Sequence, residues 1–169
     1  MGEAGIFTED DRVELLDGDI VEITPIGSHH AACMGRLTQL FAIRLGKQAI
    51  VWVQNPVRLD DRSEPQPDLV LLKPRPDFYA ESLPRPEDVL LLIEVADTTL
   101  QIDREFKLPL YAKAGIREVW IVDLEGGSLE AHRQPTPHGY QVSRRAGRSE
   151  ILRPEGFSDL DVPISQILP

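Results

Sequence analysis

The stretch VLLLIEVADTTLQIDREFKLPLYAKAGIREVWIVD, residues 89–123, decides the fold of this chain. It opens with an almost wholly apolar run, Val89 to Ala96, as expected for a strand that is buried on both faces of a sheet. A capping box that starts at Thr98 and a glycine at position 115 then bound a predicted helix. A second apolar strand follows, Glu118 to Asp123. A strand, a helix and a second strand in this order predict an α/β sheet.

Pro109 lies inside the predicted helix. Proline has no backbone N–H and its ring crowds the carbonyl four residues earlier. We therefore expect a kink or an irregular turn in this helix.

The residues before this unit predict a β-hairpin and an amphipathic helix. Two apolar segments, residues 12–16 and 19–23, flank Asp17 and Gly18, a pair typical of tight hairpin turns. From Ser28, which can cap a helix, apolar residues recur every three or four positions until Gly46. One face of this helix should therefore belong to the core.

Short segments on both sides of the unit predict further strands. These segments are residues 49–53, 57–59 and 68–72 before it, and residues 128–133, 140–144 and 150–152 after it. A proline-rich segment, residues 73–88, has no apolar period and predicts a long loop. The pattern as a whole predicts one α/β domain over residues 1–169, with a mixed central sheet flanked by helices and antiparallel hairpins from both chain ends.

Charge and cysteine content exclude several classes of site. The chain has 18 Lys and Arg against 28 Asp and Glu, a net charge of -10, which excludes a general phosphate-binding surface. Its single cysteine, Cys33, excludes an internal disulfide framework and a zinc site built from several cysteines. No apolar run is long enough for a membrane span and the first residues lack an apolar leader, so we expect a cytoplasmic protein that does not enter membranes.

Two carboxylates and a lysine are the residues that indicate chemistry. Asp68 begins one predicted strand, and Glu94 interrupts the apolar strand that begins at Val89. A carboxylate buried without a partner is costly, so Glu94 needs a cation, a basic side chain or hydrogen bonds. Lys107 lies on the following helix, with Asp103 and Tyr111 one turn before and after it on the same face. Spacing alone leaves two alternatives, a Mg²⁺ site and a structural ion pair between Glu94 and Lys107.

Several blocks of the sequence resemble those of a known family. They are VELLDGDIVEITPIG at residues 13–27, QPDLVLL at 66–72, LLIEVADTT at 91–99 and DREFKLPLYAKAGIREVWIVD at 103–123. Together with Ser28 to His30 they resemble the Uma-two-type restriction endonucleases, a branch of the PD-(D/E)XK nuclease superfamily. The resemblance extends over roughly residues 12–125.

The resemblance implies a restriction endonuclease-like core with a metal site. In that superfamily the acidic pair, here Asp68 and Glu94, binds Mg²⁺ with the backbone carbonyl of the next residue, here Val95, and Mn²⁺ is a candidate substitute. A lysine two residues after the Glu usually assists the attacking water, but position 96 of this chain is Ala96. The resemblance places that role on Lys107 instead.

Other residues within the resemblance have two interpretations each. His30 either contacts a metal-bound water or a phosphate, or is a capping or surface residue. Glu14 either belongs to the site or braces the hairpin. Asp103 and Arg104 are expected to pair with each other at the helix end, and Tyr111 is either a catalytic phenol or an aromatic residue at the edge of the core.

Two functions from different classes remain open. The first is a Mg²⁺-dependent endonuclease acting on DNA, expected to work as a homodimer because two sites can cut two strands. Its DNA contacts would come from a small set of basic residues, Arg58, Arg62, Lys73, Arg75, Arg85 and Arg104. The second is a catalytically silent binding or regulatory module that keeps the nuclease fold, an alternative favoured by the negative charge and by Ala96.

Overall fold

A mixed sheet and the helices that cover it make up the computed structural model, which describes residues 13–23 and 26–169. The strands are β1 (Val13–Leu16), β2 (Asp19–Glu22), β3 (Ile50–Val53), β4 (Leu69–Leu72), β5 (Val89–Ala96), β6 (Glu118–Asp123), β7 (Ser128–Thr136), β8 (Gly139–Gly147), β9 (Ile151–Leu152) and β10 (Val162–Pro163). The helices are α1 (Ser28–Leu45), α2 (Leu100–Ile102), α3 (Leu108–Lys113) and α4 (Ile164–Ile167). None of the helices in these described residues is long and apolar enough to span a bilayer.

The central sheet has six strands in the order β3-β4-β5-β6-β7-β8. Only β5 and β6 run parallel, and every other neighbouring pair in this sheet is antiparallel. The predicted mixed α/β architecture is therefore confirmed. Two small antiparallel sheets, β1-β2 and β9-β10, come from the two ends of the chain. The predicted N-terminal hairpin is also confirmed from Val13 onward, while Arg12 lies outside the described residues.

The connection between β5 and β6 is helical but irregular, as the proline indicated. A π-helical turn, Asp103–Lys107, separates α2 from α3, and Pro109 stands just after it. Because Pro109 cannot donate to the carbonyl of Glu105, regular α-helical bonding is interrupted there. The capping box predicted at Thr98 is wrong: the helix begins at Leu100, and no side chain caps it.

The first helix covers residues Ser28–Leu45, as predicted. Ser28 is its first residue and not its cap, because the extended backbone that precedes the helix belongs to Gly27. Gly46 ends the helix with a φ of 52°, a conformation that glycine adopts without a steric penalty.

Two predicted strands differ from the structure. Residues 57–59 form a loop and not a strand, since Val57 and Leu59 donate their N–H groups to Pro65 and Ser63 across a turn rich in proline. The segment at residues 150–152 forms β9, but it pairs with β10 and does not extend the central sheet.

The core lies on both faces of the central sheet. On one face α1 and the C-terminal segment pack against the sheet, and Phe41 meets Trp120 with ring centroids 6.4 Å apart. Cys33 is buried in the same cluster, as expected of a core residue. On the other face the helical connection contributes Tyr111 and Ile116.

Replacing Phe41 with alanine tests the packing of α1 on the sheet. Phe41 is fully buried, so the cavity left behind should lower the free energy of unfolding by about 3–5 kcal/mol. Ile43 is a matched control on the same helix, since it is 71% exposed, and Ile43→Ala should change the free energy by less than about 0.5 kcal/mol. Urea denaturation measures both variants, and equal effects would show that α1 does not pack as described.

Candidate active site

Strand register brings Asp68 beside Glu94. Leu69 of β4 pairs with Ile93 of β5 in an antiparallel ladder, so the preceding residue, Asp68, lies next to Glu94. The Asp68 carboxylate is held in place because its Oδ2 accepts a hydrogen bond from the backbone N–H of Val95 at 2.8 Å. The two carboxylates that the sequence singled out are therefore neighbours at one end of β4 and β5.

Glu94 is almost completely buried, with 3% of its surface exposed. Its Oε1 accepts a hydrogen bond from the Tyr111 hydroxyl at 2.5 Å and lies 3.4 Å from the Lys107 Nζ. Burial raises the pKa of Glu94 to about 8, although the Lys107 charge opposes the shift. Burial therefore favours the neutral form of this carboxyl group, whereas the Lys107 ammonium favours the charged form that a metal cation would bind.

Lys107 is enclosed by acidic side chains. Its Nζ lies 3.0 Å from the Glu14 Oε1 and 3.4 Å from the Glu94 Oε1. Burial lowers the pKa of this ammonium, but the charges of Glu94, Glu14 and Asp103 outweigh burial and raise the pKa above its usual value. Lys107 is therefore a fixed positive charge and hydrogen-bond donor, suited to orienting a water molecule or stabilising an oxyanion and not to accepting a proton.

Glu14 belongs to the same cluster, although the sequence left its role open. Its side chain is buried, and its Oε2 accepts a hydrogen bond from the backbone N–H of Gln66 at 3.0 Å. Since Gln66 stands two residues before Asp68, Glu14 joins the N-terminal hairpin to the segment that carries the first carboxylate. The same side chain also pairs with Lys107, so it braces the hairpin and lies within the site.

His30 is buried against Asp68 and is neither a surface residue nor a helix cap. Its Nε2 lies 3.0 Å from the Asp68 Oδ1. Burial lowers the pKa of the imidazole, but the hydrogen bond and charge of Asp68 outweigh burial and raise the pKa above its usual value. The other ring nitrogen, Nδ1, is also buried and has no hydrogen-bond partner among the described residues.

The predicted pairing of Asp103 with Arg104 is wrong. The two side chains do not pair, because consecutive residues on a helix point in different directions. Asp103 is buried and accepts a hydrogen bond from the Thr99 hydroxyl at 2.9 Å. Arg104 instead makes a two-pronged ion pair with Glu130 on β7.

A cleft of about 270 Å³ opens over this cluster. Asp68, Glu94 and Val95 all line it, and carboxylate and carbonyl oxygens are the ligands that hard divalent cations such as Mg²⁺ prefer. The Glu94 Oε2 accepts no hydrogen bond from the described residues, which leaves it available to a cation. No group of three or more His, Cys, Asp or Glu side chains in the described ranges is arranged to hold a metal. A cation here would thus depend on two carboxylates, a main-chain oxygen and water, a set that fits Mg²⁺.

Most of the basic residues expected to contact DNA are already paired. The pairs are Arg58 with Glu64, Arg62 with Asp17, Arg75 with Asp77 and Arg104 with Glu130. Arg75 also lies over the Tyr79 ring, 3.9 Å from its centroid. Lys73 and Arg85 are exposed. None of these six basic residues is among the described side chains that line the cleft.

Comparison with known proteins identifies a family and a solved structure with a similar fold. The Uma2 family model, described as "Putative restriction endonuclease", matches residues 3–165. The fold is similar to the crystal structure of a "putative nuclease belonging to DUF820" from Anabaena variabilis, with a TM-score of 0.73 and 14% sequence identity over 98% of this chain and 94% of that chain. Among curated proteins, no sequence matches at a significant level.

Proposed function

Because the chain belongs to the Uma2 restriction endonuclease family, we propose that it is a divalent-metal-dependent endonuclease that hydrolyses phosphodiester bonds in DNA. Mg²⁺ is the proposed metal, with Mn²⁺ as a substitute. The observation that carries the proposal is the convergence of Asp68, Glu94 and Lys107 in one cleft, from three separate elements of the fold.

Each residue of the cluster has a distinct task in this proposal. Asp68, Glu94 and the Val95 carbonyl would hold the cation, which when bound supplies activation of water and neutralisation of phosphate charge. His30 donates to Asp68 and so fixes the orientation of that carboxylate.

Lys107 would act on the reacting atoms. Its ammonium lies beside Glu94, where it can donate a hydrogen bond to the attacking water and stabilise the negative charge that develops on the phosphate. Glu14 pairs with the same ammonium, its Oε1 lying 3.0 Å from the Lys107 Nζ. In this proposal Lys107 has the task that a lysine two residues after the Glu has in the usual sequence pattern.

A second function is supported by two features of the sequence. Ala96 stands where the superfamily lysine is usual, and the chain carries a net charge of -10. These features favour a nuclease-fold module that binds a partner and does not cleave DNA.

Thermal unfolding with Mn²⁺ distinguishes the two functions. A cation that binds only the folded protein stabilises it, so Mn²⁺ at about 100 times its Kd should raise the Tm of the wild type by about 5 °C or more. Asp68→Ala should remove this shift, and Asp159→Ala, at an exposed acidic position outside the cleft, should keep it. An unchanged wild-type Tm would favour the binding module.

A further inference from the structure

The cleft over Asp68 and Glu94 is lined by side chains of two chemical kinds. Acidic side chains are one kind, and the other is a set of four aliphatic side chains, here called the aliphatic wall: Val21, Ile23, Ile26 and Ile102. Ile26 is 38% exposed and Ile102 is 44% exposed, high values for isoleucine. The aliphatic wall combines residues at the end of the hairpin, a residue just before α1 and a residue of α2.

The charges around the cleft suit a single strand better than a duplex. A duplex presents two phosphate backbones and a single strand one, so a duplex needs more basic side chains to neutralise its phosphates. Lys107 is the only Lys or Arg among the described residues that line the cleft, and it is paired with Glu14 and Glu94.

An aliphatic wall next to the reacting phosphate indicates what the substrate presents there. In a duplex the base faces are stacked inside, so only sugars, phosphates and base edges reach a protein surface. In a single strand the bases can turn outward and lie against apolar side chains. A cleft of about 270 Å³ is of a size for one nucleotide-sized group.

We propose that the substrate is single-stranded DNA, with a base next to the cleaved bond packed against Ile26 and Ile102. This inference rests on the proposed nuclease function. The aliphatic wall would then determine which DNA is cleaved, and the acidic side chains would hold the metal that acts on the phosphate.

The test compares cleavage of one strand in two states. The probe is a 5′-labelled oligothymidylate, either alone or annealed to oligodeoxyadenylate, with Mn²⁺ and the full chain. We expect kcat/KM for the single strand to exceed that for the duplex by about tenfold or more. Ile26→Ser and Ile102→Ser remove apolar contact area without adding charge, so each should lower kcat/KM for the single strand by about tenfold. Ile43→Ser, at a 71% exposed isoleucine outside the cleft, should leave it unchanged.

The possible results of this experiment distinguish a failure of the single-strand inference from a failure of the proposed nuclease function. Equal or faster cleavage of the duplex by the wild type would overturn the single-strand inference and leave the nuclease function standing. Wild-type rates in both Ile26→Ser and Ile102→Ser would overturn the role of the aliphatic wall. Absence of Mn²⁺-dependent cleavage of either form would overturn the proposed function itself, and the inference with it.

Discussion

Lys107→Ala should lower the rate of DNA cleavage by a factor of about 10² or more while divalent-cation binding is retained. The reason is the position of the ammonium, which lies within 3.4 Å of a proposed metal ligand without itself being able to bind a cation. Calorimetric titration with Mg²⁺ and a cleavage assay on the same protein measure the two quantities. Lys113→Ala, at an exposed lysine of α3, should leave both unchanged.

Substitution of Lys107 also changes the balance of buried charge. Without the ammonium, Glu14 and Glu94 lose their shared cation, so the Tm of the apo variant should fall. Lys107→Arg keeps a positive charge but should restore cleavage poorly, because the guanidinium is planar and longer than an ammonium. If Lys107→Ala cleaves as well as the wild type at saturating metal, the assignment of Lys107 fails and His30 becomes the next candidate.

Asp68→Ala and Glu94→Ala should each abolish divalent-cation binding and leave the chain folded. Both carboxylates line the cleft, and a site with so few protein ligands cannot lose one without a large loss of affinity. Glu87→Ala, at an exposed glutamate away from the cleft, is the matched control and should bind as the wild type does. Titration calorimetry measures affinity, and circular dichroism checks the fold.

The Glu94 variants also separate a metal ligand from a structural ion pair. Glu94→Gln keeps the size of the side chain and a hydrogen-bond acceptor for the Tyr111 hydroxyl, so it should remain folded and lose cation binding. If Glu94→Ala or Glu94→Gln changed only the melting temperature and left cation affinity unaltered, the pairing of Glu94 with Lys107 would be purely structural.

Regular periodicity explains which parts of the fold the sequence could predict. The bounds of β5 and β6 agree with prediction because both strands are apolar on two faces, and α1 agrees because its apolar residues recur at helical spacing. Val57 and Leu59 alternate with a polar residue as in a strand, but their N–H groups bond to Pro65 and Ser63 across a turn. Short apolar runs near proline carry no signal that separates a strand from a packed loop.

Contacts between neighbouring strands or along one helix were easier to predict from the sequence than contacts between elements that pack together without such a pattern. Asp68 and Glu94 meet through neighbouring strands, and Lys107 and Tyr111 share a helical face, so spacing alone suggested this cluster. The contact of Glu14 with Lys107 depends on how the hairpin packs, which no local pattern records. The pairing of Arg104 with Glu130 depends on β7 in the same way.

The most direct test of the metal-dependent nuclease is a time course of DNA cleavage by the wild type and by Glu94→Gln, each with Mn²⁺ and with EDTA. Supercoiled, linear and single-stranded DNA are supplied in parallel. We expect the wild type to cleave at least one of these with Mn²⁺ and none with EDTA, and Glu94→Gln to cleave none. Cleavage that persists in EDTA, equal rates for both proteins, or no wild-type cleavage of any DNA would contradict a metal-dependent nuclease.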